Sequence, residues 1–297
     1  MRIDELPRSE NIEDRRGTRI RRGGGIGIGT LVVLALLAWA FGIDPRLLIG
    51  GAEILTGDQQ SQPPSYSDTA RPDAAGGPSD QMKEFVSAVL GSAEVQWTEL
   101  FAQANSRYEP PSLVMFSGAT SSACGFAQSA MGPFYCPLDR KVYLDTSFFE
   151  DMQRRFGACD SAKACQFSQA YVIAHEVGHH VQNLLGILPR LQQMQQGMDR
   201  ADANRLQVMA ELQADCFAGV WANHAQEKWK FLEPGDVEAA LQTASAIGDD
   251  RLQRRSQGYV VPDAFTHGSS QQRVRWFGTG LKSGEITSCD TFNAPQL

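Results

Sequence analysis

Gln169-Ala170-Tyr171-Val172-Ile173-Ala174-His175-Glu176-Val177-Gly178-His179-His180-Val181-Gln182-Asn183-Leu184-Leu185 decides how this chain is read. Its apolar residues recur at helical spacing, and Gly186, with Pro189 three residues later, ends the helix. On that helix His175 and His179 stand one turn apart on one face, so both imidazoles can reach a single ion at roughly 2.0 to 2.1 Å. Glu176 lies beside them, where a carboxylate can take a proton from a zinc-activated water. Two surface histidines on an amphipathic helix would have polar flanks, whereas Ala170 to Ala174 is apolar. Gly178 leaves space for another backbone to pass close to the metal.

Two histidines and a base make an incomplete site, because a catalytic zinc takes three protein ligands and keeps a fourth position open. The leading candidate for the third is Glu211, 32 residues after His179, in Ala210-Glu211-Leu212-Gln213-Ala214-Asp215 on a second helix. Asp215, one turn further on, is the alternative ligand. The division of labour that follows puts Glu211 on zinc and lets Asp215 accept from the free ring nitrogen of a ligating histidine. Leu212, Ala214, Cys216, Phe217, Ala218, Gly219 and Trp221 mark this helix as buried rather than solvated. His267, in a Gly- and Ser-rich turn, is a candidate donor to the oxyanion that develops opposite the metal; the alternative is a turn or packing histidine. Arg273 is a candidate partner for a carboxylate behind the ligands. His180, about 100° around the helix from His179, and His224 read as structural or solvent-facing.

The pattern resembles the bacterial family described as putative neutral zinc metallopeptidases, and more distantly the zincins whose third ligand is the Glu of a Glu-x-x-x-Asp helix. The resemblance rests on Gly132-Pro133-Phe134-Tyr135-Cys136-Pro137 with Val142-Tyr143-Leu144-Asp145, on Ala174 to His180, on Glu211 to Trp221, and on His267-Gly268-Ser269-Ser270 with Gln272-Arg273 and Trp276-Phe277. It implies a zinc-dependent hydrolase with an N-terminal anchor. In zincin-like folds the strand before the metal helix commonly edges the cleft, which makes Lys141 to Leu144 the expected edge, with a plain interior strand as the alternative.

Upstream, the charge is unevenly spread. The net charge is -7, which removes the basic footprint of a nucleic-acid binder, yet seven arginines and no lysine lie in residues 1–22. The uncharged run from Gly23 to Ile43 that follows is long enough to cross a bilayer as a helix. The expected organisation is a basic cytoplasmic segment at 1–22, a transmembrane signal anchor at 23–43, a Pro-, Gly- and Ser-rich linker at 44–80 and a metallopeptidase domain at 81–297. That places a single-pass protein in the inner membrane with its domain outside the cytoplasm; a cleaved signal peptide is the alternative.

Six cysteines suit an oxidising compartment, and their spacing suggests the pairs Cys124–Cys136, Cys159–Cys165 and Cys216–Cys289. Short apolar segments at Leu113 to Phe116 and Lys141 to Leu144, separated by a loop, fit a small antiparallel sheet. Helices are expected from Gln169 to Leu185, Leu191 to Gln226 and Asp236 to Arg255, giving an α+β, predominantly helical, zincin-like domain. Its expected activity is zinc metalloendopeptidase on a peptide or protein substrate. A zinc-stabilised envelope protein that binds without catalysis and a zinc amidase on cell-wall peptide crosslinks remain open.

Overall fold

In the computed structural model, which describes residues 1–17, 78–128, 132–149 and 162–297, the quoted stretch is helical. It forms helix α2, Ala162–Leu184, and Gly186 ends it in the left-handed conformation at φ 74°. Helix α1, Pro78–Gln103, precedes it and turns Val89, Leu90 and Trp97 into the core. Helix α3, Ile187–Gln195, follows, and then helix α4, Arg200–Trp229. One helix was expected over 191–226. The chain breaks there because Gly197 takes a positive φ and Asp199 caps the next helix by accepting from the Asp202 N–H. The helix expected at 236–255 is likewise two, α5 at Asp236–Ala246 and α6 at Asp249–Gln257. Gly248 separates them where the backbone of Ser270 comes too close for any side chain, its N 2.4 Å from a Cβ placed there. Helix α7, Ser270–Ser283, starts with a capping box formed by Ser269 and Gln272.

Helix α4 is the centre of the unit. Its turns from Ala210 to Ala222 are buried throughout, and it packs against both α2 and α7. Glycine makes both crossings possible. A Cβ on Gly178 of α2 would lie 2.9 Å from the Ala214 carbonyl oxygen. One on Gly280 of α7 would lie 1.9 Å from the Cys216 carbonyl oxygen, and one on Gly219 of α4 2.2 Å from that of Phe277. The Gly178 crossing carries the chemistry, because Glu211 and Asp215 lie on either side of Ala214.

The strands form two sheets. Strands β1 (Ile12–Asp14), β2 (Ser112–Phe116), β6 (Lys141–Asp145) and β5 (Phe134–Cys136) stand in the order β1-β2-β6-β5, and β3 (Ala119–Ser122) pairs with β4 (Gly125–Gln128) as a separate hairpin. The expected antiparallel pairing of 113–116 with 141–144 is wrong in direction. Leu113 pairs with Val142 and Met115 with Leu144 in parallel, and only β5 runs antiparallel to β6. The hairpin and β5 both lie between β2 and β6 in sequence, so the chain reverses before β6 and then runs alongside β2 in the same direction. Strand β6, expected at the cleft edge, is therefore interior, and β5 is the edge strand on its side of the sheet. A helix begins at residue 147, where Asp145 accepts from both the N–H and the hydroxyl of Ser147.

Residues 1–17 were expected to stand apart from the domain, and the structure builds them into it. Strand β1 pairs in parallel with β2, matching Ile12 to Leu113 and Asp14 to Met115. Met1 and Leu6 are buried in the main core, and the Met1 amino group bonds Asp236. All described residues fall within one compact unit. The apolar run at 23–43 and linker residues 44–77 lie outside the described residues. No helix among the described residues is long and apolar enough to cross a membrane.

Candidate metal centre

His175 and His179 point from α2 toward Glu211 on α4. His175 Nε2 lies 3.2 Å from Glu211 Oε2, and His179 Nε2 lies 3.6 Å from Glu211 Oε1. One donor atom from each residue falls within 4.8 Å of the others. All three sequence-derived ligands are thus brought together.

The face of each imidazole turned away from this cluster is held by a second group. His175 Nδ1 donates to Asp215 Oδ1 at 2.8 Å, which leaves Nε2 as the nitrogen that faces Glu211. Asp215 is itself gripped by Arg273, at 2.8 Å from Nε and 2.9 Å from Nη2, and by the Tyr171 hydroxyl. Burial opposes its ionisation, yet Arg273 and His175 hold its carboxyl down at about 2. Asp215, the alternative ligand, therefore stands behind His175 instead of in the cluster. His179 Nδ1 donates to Gln182 Oε1 at 2.9 Å. The Gln182 amide nitrogen is spent on the Ala210 carbonyl and Gln213 Oε1, so its oxygen must be the acceptor from His179. Gln207 Nε2 donates to Glu211 Oε1 at 3.1 Å.

These residues fit zinc on two counts. Two histidines and one carboxylate with fixed tautomers are a zinc donor set. Charge agrees: among the described residues Glu176, Glu211 and Asp215 are buried against one buried guanidinium, Arg273, so a divalent cation would balance the two remaining negative charges. Without one, burial lowers the basicity of His175, but Asp215 and Glu211 overcome this and raise it to about 10. Burial likewise resists ionisation of Glu211, yet His179 and His175 hold its carboxyl well below the usual range. Burial lifts the Glu176 carboxyl above its ordinary value.

The cluster lies in the floor of a cleft of about 1000 Å³. Phe134, Tyr135, Pro137 and Leu138 on and after β5 line it, as do Leu188, Leu191 and Gln192 of α3. Edge strand β5 is fixed to the metal helix. The Tyr135 hydroxyl donates to His180 Nδ1 and accepts from the Asn183 side chain, both at 3.0 Å, and His180 Nε2 donates to the Glu109 carbonyl at 2.6 Å. Burial depresses His180 to about 4, so it is neutral and fully structural. The Cys124–Cys136 disulfide ties the same strand to the β3–β4 hairpin. Cys216–Cys289 closes the long-range pair, and Cys165 is disulfide-bonded, while its expected partner Cys159 lies outside the described residues.

His267 also lines the cleft, with its side chain half exposed. Asp249 positions it: one carboxylate oxygen accepts from the N–H groups of Thr266, His267 and Gly268, and the other meets His267 Nδ1 at 3.3 Å. This bond raises the His267 pKa against the effect of burial and leaves Nε2 as the free nitrogen. His224 bonds the Gly284 carbonyl outside the cleft. The sequence reading passes over Gln182, Tyr171 and Asp249. Gln182 and Tyr171 were detectable as polar groups on the buried side of α2, whereas no local pattern ties Asp249 to a histidine 18 residues away.

Two histidines one helical turn apart and a carboxylate from a crossing helix form a cluster that could hold a metal ion, open to a cleft. The chain belongs to the family described as "Putative neutral zinc metallopeptidase", which matches residues 1–292. It is 46% identical to the uncharacterized protein YpfJ of Escherichia coli (strain K12), over 98% of this chain and 99% of that protein. It is 43% identical to the uncharacterized proteins Mb2605 of Mycobacterium bovis and Rv2575 of Mycobacterium tuberculosis (strain H37Rv), over 71% of this chain and of each relative. No solved structure matches it.

Proposed function

We propose that the protein is a zinc-dependent endopeptidase acting in an oxidising compartment outside the cytoplasm. One observation carries the reading: Glu176, buried and adjacent to the ligand cluster, faces the same open cleft. A purely structural zinc site would be closed and would have no use for that carboxylate. His175, His179 and Glu211 would hold the metal. When bound, zinc supplies Lewis acidity to a scissile carbonyl and acidifies water to a pKa of about 7.

Glu176 then takes the proton of the attacking water and passes it to the leaving amide nitrogen. Its raised pKa brings it closer to neutrality, where one group serves as base and then as acid. His267 Nε2, as imidazolium, donates to the carbonyl oxygen as charge develops there. Strand β5, at the end of its sheet and lining the cleft, would offer backbone groups to an extended substrate. Arg273 is committed to Asp215 and Tyr171, and among the described residues the cleft lining holds no other arginine or lysine to capture a terminal carboxylate. This supports internal cleavage of a chain over trimming of its C-terminus. The disulfides support the compartment.

Glu176→Gln tests the reading. The variant is expected to keep one zinc per chain by metal analysis and to lose at least about a hundredfold in kcat/KM on a peptide substrate. Equal cleavage by both proteins would falsify the endopeptidase reading. A cell-wall peptide crosslink cleaved in preference to linear peptides would move the assignment to the amidase.

A further inference from the structure

The arginine-rich start of the chain and the apolar run after it read as a cytoplasmic tail followed by one membrane pass. The packing of residues 1–17 contradicts that arrangement. Backbone hydrogen bonds, joined by bonds from side chains, fasten this segment to elements that lie beyond the run in sequence. Arg2 N–H donates to the Phe231 carbonyl at 2.8 Å and Ser9 N–H to the Ser87 carbonyl at 3.0 Å. The Ser9 carbonyl accepts from the Ser87 hydroxyl at 2.8 Å. The Asn11 carbonyl accepts from Leu113, and Arg15 N–H reaches the Met115 carbonyl, both at 2.8 Å, completing the β1–β2 ladder.

Side chains follow the backbone. Met1 and Leu6 lie in the main core at 5% and 3% exposure. On α1, a Cβ at Gly91 would meet the Pro7 carbonyl oxygen at 2.5 Å, so the helix surface is shaped to receive this segment. The arginines have structural uses. Arg2 bonds the Lys230 carbonyl, Arg8 pairs with Glu84, Arg15 reaches Thr120 and Ser121, and Arg16 pairs with Asp14. Four of the seven positive charges that suggested retention in the cytoplasm are thus engaged in the fold. The positive-inside bias alone does not explain them.

A chain that crossed a membrane once between residues 17 and 78 would leave its two parts in different compartments, and none of these contacts could form. We propose that residues 1–17 and residues 78–297 share one compartment, with the N-terminal segment serving as a structural strand of the metal-binding unit.

The test uses the full chain in bacterial spheroplasts. Cysteines are placed one at a time at the exposed positions Glu5, Glu10 and Glu227. Each is treated with a membrane-impermeant maleimide before and after permeabilisation, and zinc content confirms folding. The expected result is that Glu5→Cys, Glu10→Cys and Glu227→Cys behave alike, either all labelled in intact spheroplasts or all labelled only after permeabilisation. If both N-terminal positions respond oppositely to Glu227→Cys, the proposal is overturned and the single-pass orientation stands. The two N-terminal positions guard against one failed variant, and neither lies near the metal centre.

Discussion

Asp249 shows how much of this site depends on residues that touch neither metal nor substrate. Its bond to His267 Nδ1 raises the histidine's pKa above its ordinary value, so the imidazolium persists to higher pH than in a free histidine. In Asp249→Asn that support is gone and the pKa falls back. The alkaline limb of the pH profile of kcat/KM is then expected to move to lower pH, with the acid limb unchanged. A profile that does not move would remove His267 as the oxyanion donor. Asp215 does the equivalent service for a ligand. Asp215→Asn keeps the shape but gives up the charge that orients His175, and zinc affinity, measured by competition with a chelator, should fall roughly 10- to 100-fold. At this scale the sequence was highly informative for the ligands, because His175, Glu176 and His179 sit within one helical turn and Glu211 shares a buried helix with Asp215. It was silent on Asp249, since a pairing across a loop leaves no periodic trace.

Among the elements, the crossing of α4 and α7 is the most demanding contact. A Cβ on Gly280 would lie only 1.9 Å from the Cys216 carbonyl oxygen, so even a methyl group would force the two helices apart. Gly280→Ala should cost at least about 2 kcal/mol in chemical denaturation, and the shift would loosen Arg273, which rides on α7. The Cys216–Cys289 bond, which joins α4 to the end of the chain across 73 residues, reinforces this region. Helix positions were easy to read because an apolar stripe repeats every turn, and the misplaced breaks fall at Gly197 and Gly248, single residues inside otherwise helical patterns. The sheet was harder. Segments 113–116 and 141–144 were correctly seen as strands, but three-residue β5 carries too little pattern to announce itself, and without it the direction of β6 could not be inferred.

For the whole molecule, the N-terminal segment was the least legible part. Residues 1–17 are dominated by charges, and Met1, Ile3, Leu6 and Ile12 follow no helical or strand period, so nothing local reveals that they complete a core formed mainly by residues far along the chain. Deleting residues 1–17 should therefore destabilise the rest. Burial of Met1 and Leu6 alone contributes about 1.5 to 3 kcal/mol each, and equilibrium denaturation of the shortened chain should show a loss of that order or more. An unchanged midpoint would reduce the segment to decoration. The same feature sets an order of events at birth. Strand β1 leaves the ribosome well before its partner β2, which begins about a hundred residues later, and the Phe231 carbonyl that receives Arg2 appears later still. Until then its ladder groups stay open, so closing the sheet is among the last acts of folding, and a stalled or cut nascent chain would carry β1 unpaired.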